Sequence, residues 1–272
     1  MSSGQLRLPP QVLAARQTLI DGREKLRQQF ETGSPGIQLG FFLTDLFDTV
    51  VLDIYNAAVE DYRSRGKLVD EIALVAHSGY GRRDNAPYSD VDLMLLHSSS
   101  VSAEIPDFAG RIVQNLSDVG VDLGFSVRTT KQACQLAMSD PIIATALIES
   151  RFLTGNEPLF QKFFDKFKRT CSRQPTNRFI KTIEQSRREE RMKYGDTVYL
   201  LEPNIKRSRG GLRDIHLLRW IGFAAYGESL PRSSRQWANL LRPIMPRYVT
   251  RGTFCSYCDI RCTCKQATRK MC

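Results

Sequence analysis

The sequence predicts an α+β fold: a small mixed β-sheet flanked by helices, with helical extensions on its N- and C-terminal sides. Three observations point there. Two long segments at the start have helical spacing, short apolar runs with strand character cluster between about residues 66 and 130, and helical periodicity resumes afterwards.

In chain order, residues 11–31 place Val12, Leu13, Leu19, Ile20, Leu26 and Phe30 at helical intervals, and Gly33-Ser34-Pro35-Gly36 stops the pattern. A second helix runs from about Ile37 to Arg65 on a stripe that includes Leu43, Phe47, Val50, Val51 and Ile54. Glu71–His77 is a short buried strand that ends at a turn of small residues, Ser78, Gly79 and Gly81. Val91–His97 is the next strand, Ile105–Asp118 a helix and Val119–Arg128 a third strand. Helices follow at Thr130–Met138, with Thr130 as cap, and at Pro141–Leu153, Glu157–Arg169, Thr176–Lys193 and Leu212–Tyr226. Asp196–Glu202 reads as extended. The expected organisation is a helical extension (1–65), a catalytic core (66–130), a helical domain (131–230) and a basic, Cys-rich tail (231–272).

Composition excludes several classes. No stretch approaches the roughly 18–20 uninterrupted apolar residues of a membrane span. Residues 1–10 lack the layout of a signal peptide, so a cytoplasmic protein is expected. The net charge is +10, but residues 231–272 hold nine Lys or Arg against Asp259 alone. That tail carries +8 and the other 230 residues only +2, which argues against a nucleic-acid groove in the folded domain. Cys255, Cys258, Cys262 and Cys264 stand too close together for paired zinc knuckles, so the tail reads as an aberrant or disordered end with free thiols.

The chemistry concentrates in residues 78–92, Ser-Gly-Tyr-Gly-Arg-Arg-Asp-Asn-Ala-Pro-Tyr-Ser-Asp-Val-Asp. Side chains alternate along a strand, so Asp90 and Asp92 point the same way. Two adjacent carboxylates repel unless a cation or a shared proton lies between them. Hard oxygen donors suit magnesium, and a two-metal clamp needs a third carboxylate, for which Asp118 and Asp122 are the candidates. Ser78, Gly79 and Gly81 permit close backbone approach to a triphosphate, Arg82 or Arg83 can neutralise charge, and Ser89 adds a hydroxyl. Arg128 closes the third strand, and Lys206 and Arg213 bracket the Gly210-Gly211 turn at a helix start, where anions are favoured. Strand, turn, spacer and strand in that order describe a nucleotidyltransferase-superfamily site. No Walker loop, Gly-x-Ser-x-Gly elbow or histidine metal-hydrolase motif is present.

Three blocks make the chain resemble the bacterial P-II uridylyltransferase/uridylyl-removing enzymes. They are Ser78-Gly79-Tyr80-Gly81-Arg82 with Ser89-Asp90-Val91-Asp92-Leu93, Asp118-Val119-Gly120 to Thr129 with Ile148-Glu149-Ser150-Arg151, and Leu201–Lys206 with Gly210-Gly211-Leu212-Arg213-Asp214. The resemblance covers about residues 35–228. It implies transfer of a uridylyl group from UTP to a tyrosine of the small P-II protein, with release of pyrophosphate. It also implies that Asp90 and Asp92 hold magnesium on the triphosphate while Gly79 and Gly81 cradle it. Ser78 stands where the family usually has glycine. The family's His-Asp hydrolase and glutamine-sensing ACT domains have no counterpart here, and the composition jump near Arg232 reads as a truncated or frameshifted product. Two rival readings are adenylyl transfer to another acceptor and a catalytically silent module that keeps the fold.

Overall fold

The computed structural model describes residues 8–66, 70–99, 104–173, 176–194, 204–207 and 211–227. The expected extended segment at 196–202 and the tail at 231–272 lie outside them. The chain divides into two compact units, residues 1–167 and 168–272.

The first unit is built on a four-stranded mixed sheet in the order β3-β2-β1-β4, comprising β1 (Ile72–Ala76), β2 (Val91–His97), β3 (Leu123–Thr129) and β4 (Arg151–Gly155). β1 runs antiparallel to both β2 and β4, whereas β2 and β3 are parallel. A parallel pair needs a crossover, and the helix α4 (Ile105–Val119) supplies it. α4 ends where Gly120 adopts φ +95°, a left-handed cap that costs a glycine little.

Two long helices, α1 (Pro10–Glu31) and α2 (Gly36–Ser64), match the predicted helices within one residue at each end. With α4 they cover one face of the sheet. Ile72, Leu74 and Ala76 of β1 and Val91, Leu93 and Leu95 of β2 join Phe47, Ile54, Phe108 and Ile112 in one buried core. Strand alternation sends Ala73, Val75, Asp92, Met94 and Leu96 to the opposite face. There Phe152 of β4, paired with Val75, meets Phe160 of α7 (Glu157–Arg173) at 5.6 Å between ring centroids.

Four local expectations are corrected. The turn at 78–82 is a five-residue helix, α3 (Ser78–Arg82). The third strand starts at Leu123, because Val119 still belongs to α4. Thr129, not Thr130, caps α5 (Thr130–Ser139): its hydroxyl accepts from the Gln132 N–H, and the Gln132 side chain accepts from the Thr129 N–H. The helix expected at 141–153 is α6 (Pro141–Ile148) followed by β4, since pairing with β1 recruits residues 151–155 into the sheet.

The second unit contains α8 (Thr176–Tyr194) and α9 (Leu212–Tyr226). Buried Arg187 of α8 donates to Asp214 of α9 at 2.9 Å, to Glu190 at 3.2 Å and to the Arg207 carbonyl at 2.9 Å. A desolvated guanidinium needs such partners, and these tie the two helices together. Among the described residues, no helix is long and apolar enough to cross a membrane.

Candidate active site

The site lies at the end of the sheet where β1 leaves and β2 enters. Asp92 is the second residue of β2, and its carbonyl accepts from the His77 N–H at 3.1 Å. The parallel register pairs Asp92 with Gly124. A Cβ at Gly124 would collide with Asp92 Oδ1, so the Asp92 carboxylate occupies the space that a side chain on β3 would fill. Gly124 was not singled out in the sequence, because only the register reveals its neighbour.

One step before that register begins, the Val91 N–H donates to the Asp122 carbonyl at 2.8 Å. Asp90 and Asp122 therefore flank the entrance of the parallel pair, and both are exposed. Alternation sets them on the Asp92 side of the sheet. Asp118 is placed differently. It sits in the last turn of α4, which packs on the opposite face, and its carboxylate accepts from Gln114 Nε2 at 3.0 Å. The structure thus brings Asp122, and not Asp118, to the Asp90/Asp92 side. The donor set is hard carboxylate oxygen, which fits magnesium, an ion usually held by one or two carboxylates with substrate phosphates and water completing its shell. Among the described residues, no group of three or more His, Cys, Asp or Glu side chains is close enough to hold a metal by itself.

α3 forms the floor beside this pair. His77 precedes it in extended conformation, and its Nδ1 lies 3.1 Å from Ser78 Oγ. Burial, and then the positive charge of Arg128, push the His77 imidazole down to about 4, against the opposing pull of Asp90. His77 is neutral at physiological pH, and the charges of Arg128 and Asp90 both reach it. Arg128 pairs with Leu96 in the register and so shares the face of Asp92. Its own pKa is lowered by burial.

The two glycines of the turn differ. A Cβ at Gly81 would collide with the Glu149 carbonyl, so Gly81 is required by packing between α3 and the end of α6. A Cβ at Gly79 would meet nothing closer than Asp84 Oδ1 at 3.4 Å, an ordinary contact. Ser78 adopts φ +55°, in the left-handed region that glycine tolerates best.

Two of the expected phosphate ligands are already engaged. Arg82 donates to both carboxylate oxygens of Asp84, at 2.7 and 3.2 Å. Ser89 Oγ accepts from the Ala86 N–H at 2.9 Å and closes the loop before Asp90. Arg83 pairs with Asp45 and lies over the Phe41 ring. Buried Asn85 holds the same loop: its Nδ2 donates to the Asp90 carbonyl at 3.3 Å, while Thr44 Oγ1 donates to its Oδ1 at 3.3 Å.

Lys206 and Arg213 belong to the second unit. Lys206 is exposed in a turn closed by Asn204 Oδ1, which accepts from the Lys206 and Arg207 N–H groups. Arg213 lies over the Trp220 ring at 5.7 Å and 3.9 Å from Glu190. Asp214 accepts from Arg187 and Arg191. Gly210 lies outside the described residues.

The family model described as GlnD PII-uridylyltransferase matches residues 178–253. The bifunctional uridylyltransferase/uridylyl-removing enzyme of Nitrosospira multiformis is 37% identical over 219 residues, covering 78% of this chain and 23% of the relative. That of Aromatoleum aromaticum is 34% identical over 232 residues, 85% of this chain and 25% of the relative. That of Pseudomonas entomophila is 39% identical over 158 residues, 58% and 17% respectively. The chain spans about a quarter of the length of the first two.

Proposed function

The chain belongs to the family of the bifunctional uridylyltransferase/uridylyl-removing enzymes, and we propose that it carries a magnesium-dependent site transferring a uridylyl group from UTP to a tyrosine hydroxyl of a P-II protein in the cytoplasm. The observation that carries this reading is the parallel β2–β3 register. It seats Asp92 over Gly124 and sets Asp90 and Asp122 at the shared entrance.

In this reading the tyrosine hydroxyl oxygen attacks the α-phosphorus of UTP and loses its proton to solvent, the bond from that phosphorus to the α,β-bridging oxygen breaks, and pyrophosphate departs. Asp92, with Asp90 or Asp122, would hold the metal together with the substrate phosphates, and the metal would supply charge neutralisation there when bound. Gly79 leaves the α3 backbone open to the triphosphate, since its missing side chain serves no packing contact in the fold. Arg128 adds positive charge on the same face.

The test is turnover of labelled UTP and labelled ATP, with and without magnesium, in the presence of a P-II protein. Magnesium-dependent labelling of P-II from UTP, lost in Asp92→Asn, is expected. Preference for ATP would replace the uridylyl reading with adenylyl transfer, and equal labelling by Asp92→Asn would remove the site.

A further inference from the structure

α3 is a poor helix by itself. It is five residues long, and the backbone is left-handed at Ser78 at its start and at Arg83 just beyond its end. Something outside it must fix its place. Three side chains from three elements do so. Tyr80, fully buried in α3, donates its hydroxyl to Asp48 Oδ1 of α2 at 2.6 Å. Arg151, the first residue of β4, donates to Asp48 Oδ2 at 2.8 Å and to Oδ1 at 2.9 Å, a two-pronged pairing. The same guanidinium lies 5.4 Å from the centroid of the Tyr80 ring, and its Nη2 lies 3.4 Å from the Tyr80 carbonyl. α3 is therefore held by its side chain and its backbone at one residue, from both neighbours at once.

Resting on the function proposed above, we infer that Asp48 and Arg151 are positioning residues that set the α3 backbone for the triphosphate of the nucleotide. Both side chains are engaged with Tyr80 and with each other. Their charges cancel, so they add little net field at the site and do not compete with Asp92 for a cation. Stability alone does not account for the pair. A partly buried ion pair replaced by apolar groups of similar size usually loses nothing, and often gains. What an apolar pair cannot reproduce is the fixed geometry at the Tyr80 hydroxyl and carbonyl, since it offers neither an acceptor nor a donor.

The test separates these roles with the double variant Asp48→Leu/Arg151→Met. Its melting temperature and its affinity for magnesium and an α,β-methylene analogue of UTP are measured against the parent chain, with Asp92→Asn in parallel. The buried Tyr80 hydroxyl loses its acceptor, so the melting temperature of the double variant should fall by a few degrees, while analogue affinity per folded molecule falls about ten- to hundredfold, the range seen when outer-shell partners are removed. Arg151→Lys, which keeps the charge and loses the fork, should also weaken binding, and it serves if the double variant does not fold. Parental affinity in a folded double variant, or in Arg151→Lys, would overturn the inference while a loss in Asp92→Asn leaves the proposed function standing. Parental affinity in Asp92→Asn would overturn the function and the inference with it.

Discussion

The two faces of the β2–β3 pair are made from alternate residues of the same strands, yet they differ in nearly every respect. On one face Val91, Leu93 and Leu95 are fully buried beneath α1, α2 and α4. On the other, Asp92, Gly124 and Arg128 share space with a backbone that bends away into α3. The first face is bound by volume: each side chain has many apolar neighbours, and the loss of any one opens a cavity. The second is bound by placement: a carboxylate, a missing side chain and a guanidinium must fall in register. One residue step along β2 separates a site that tolerates no loss of volume from one that tolerates no shift of position.

Substitutions at neighbouring residues test this division directly. The largest effect is expected for Asp92→Asn, which removes a carboxylate proposed to hold magnesium. UTP transfer should fall by at least about a hundredfold with little change in the unfolding midpoint, as read by labelling of P-II and by urea denaturation. Leu93→Ala, one residue along, should destabilise the fold by about 2–5 kcal/mol while the folded fraction keeps its turnover. If Leu93→Ala lowers turnover per folded molecule as much as Asp92→Asn does, the two faces are not separate.

Gly124→Ala lies between these extremes, since its methyl group would displace the Asp92 carboxylate. Magnesium-dependent turnover should fall about tenfold or more, with a stability loss of about 1–3 kcal/mol from overpacking. His77 gives a pH test on the same side of the sheet. The folded chain holds the imidazole near 4, whereas the unfolded chain protonates it near 6.5, so the unfolded state binds the extra proton in that window. Metal-free stability should therefore fall as pH drops from about 6.5 to about 4, and His77→Asn should flatten that limb of the unfolding midpoint against pH. The smallest effect is expected for Ser78→Gly. Relief of the left-handed serine is offset by added freedom in the unfolded chain, leaving a gain of about 0.5–1 kcal/mol in urea unfolding.

Periodicity made the apolar face legible. α1, α2, β2 and α9 stand within a residue of the positions their spacing predicts, because each buries one stripe or one alternating set. β4 was hidden, since only Phe152 and Leu153 of its five residues are apolar and only non-local pairing with β1 makes Arg151–Gly155 a strand. The site divided in the same way. Asp90 and Asp92 were visible as a pair two residues apart. The choice between Asp118 and Asp122 was not, because it depends on which face α4 covers. Asp48 and Arg151 are 103 residues apart, and no local pattern joins them.

Gly79 and Gly81 sit two residues apart in the same short helix, but they answer to different neighbours. The fold leaves room for a methyl group at residue 79, whereas the Glu149 carbonyl forbids one at residue 81. Residue 79 can thus be altered without disturbing the packing of the fold, which makes it the place to test the proposed contact with a triphosphate. Residue 81 belongs to the scaffold, and changing it would disturb the chassis before it altered the choice of substrate.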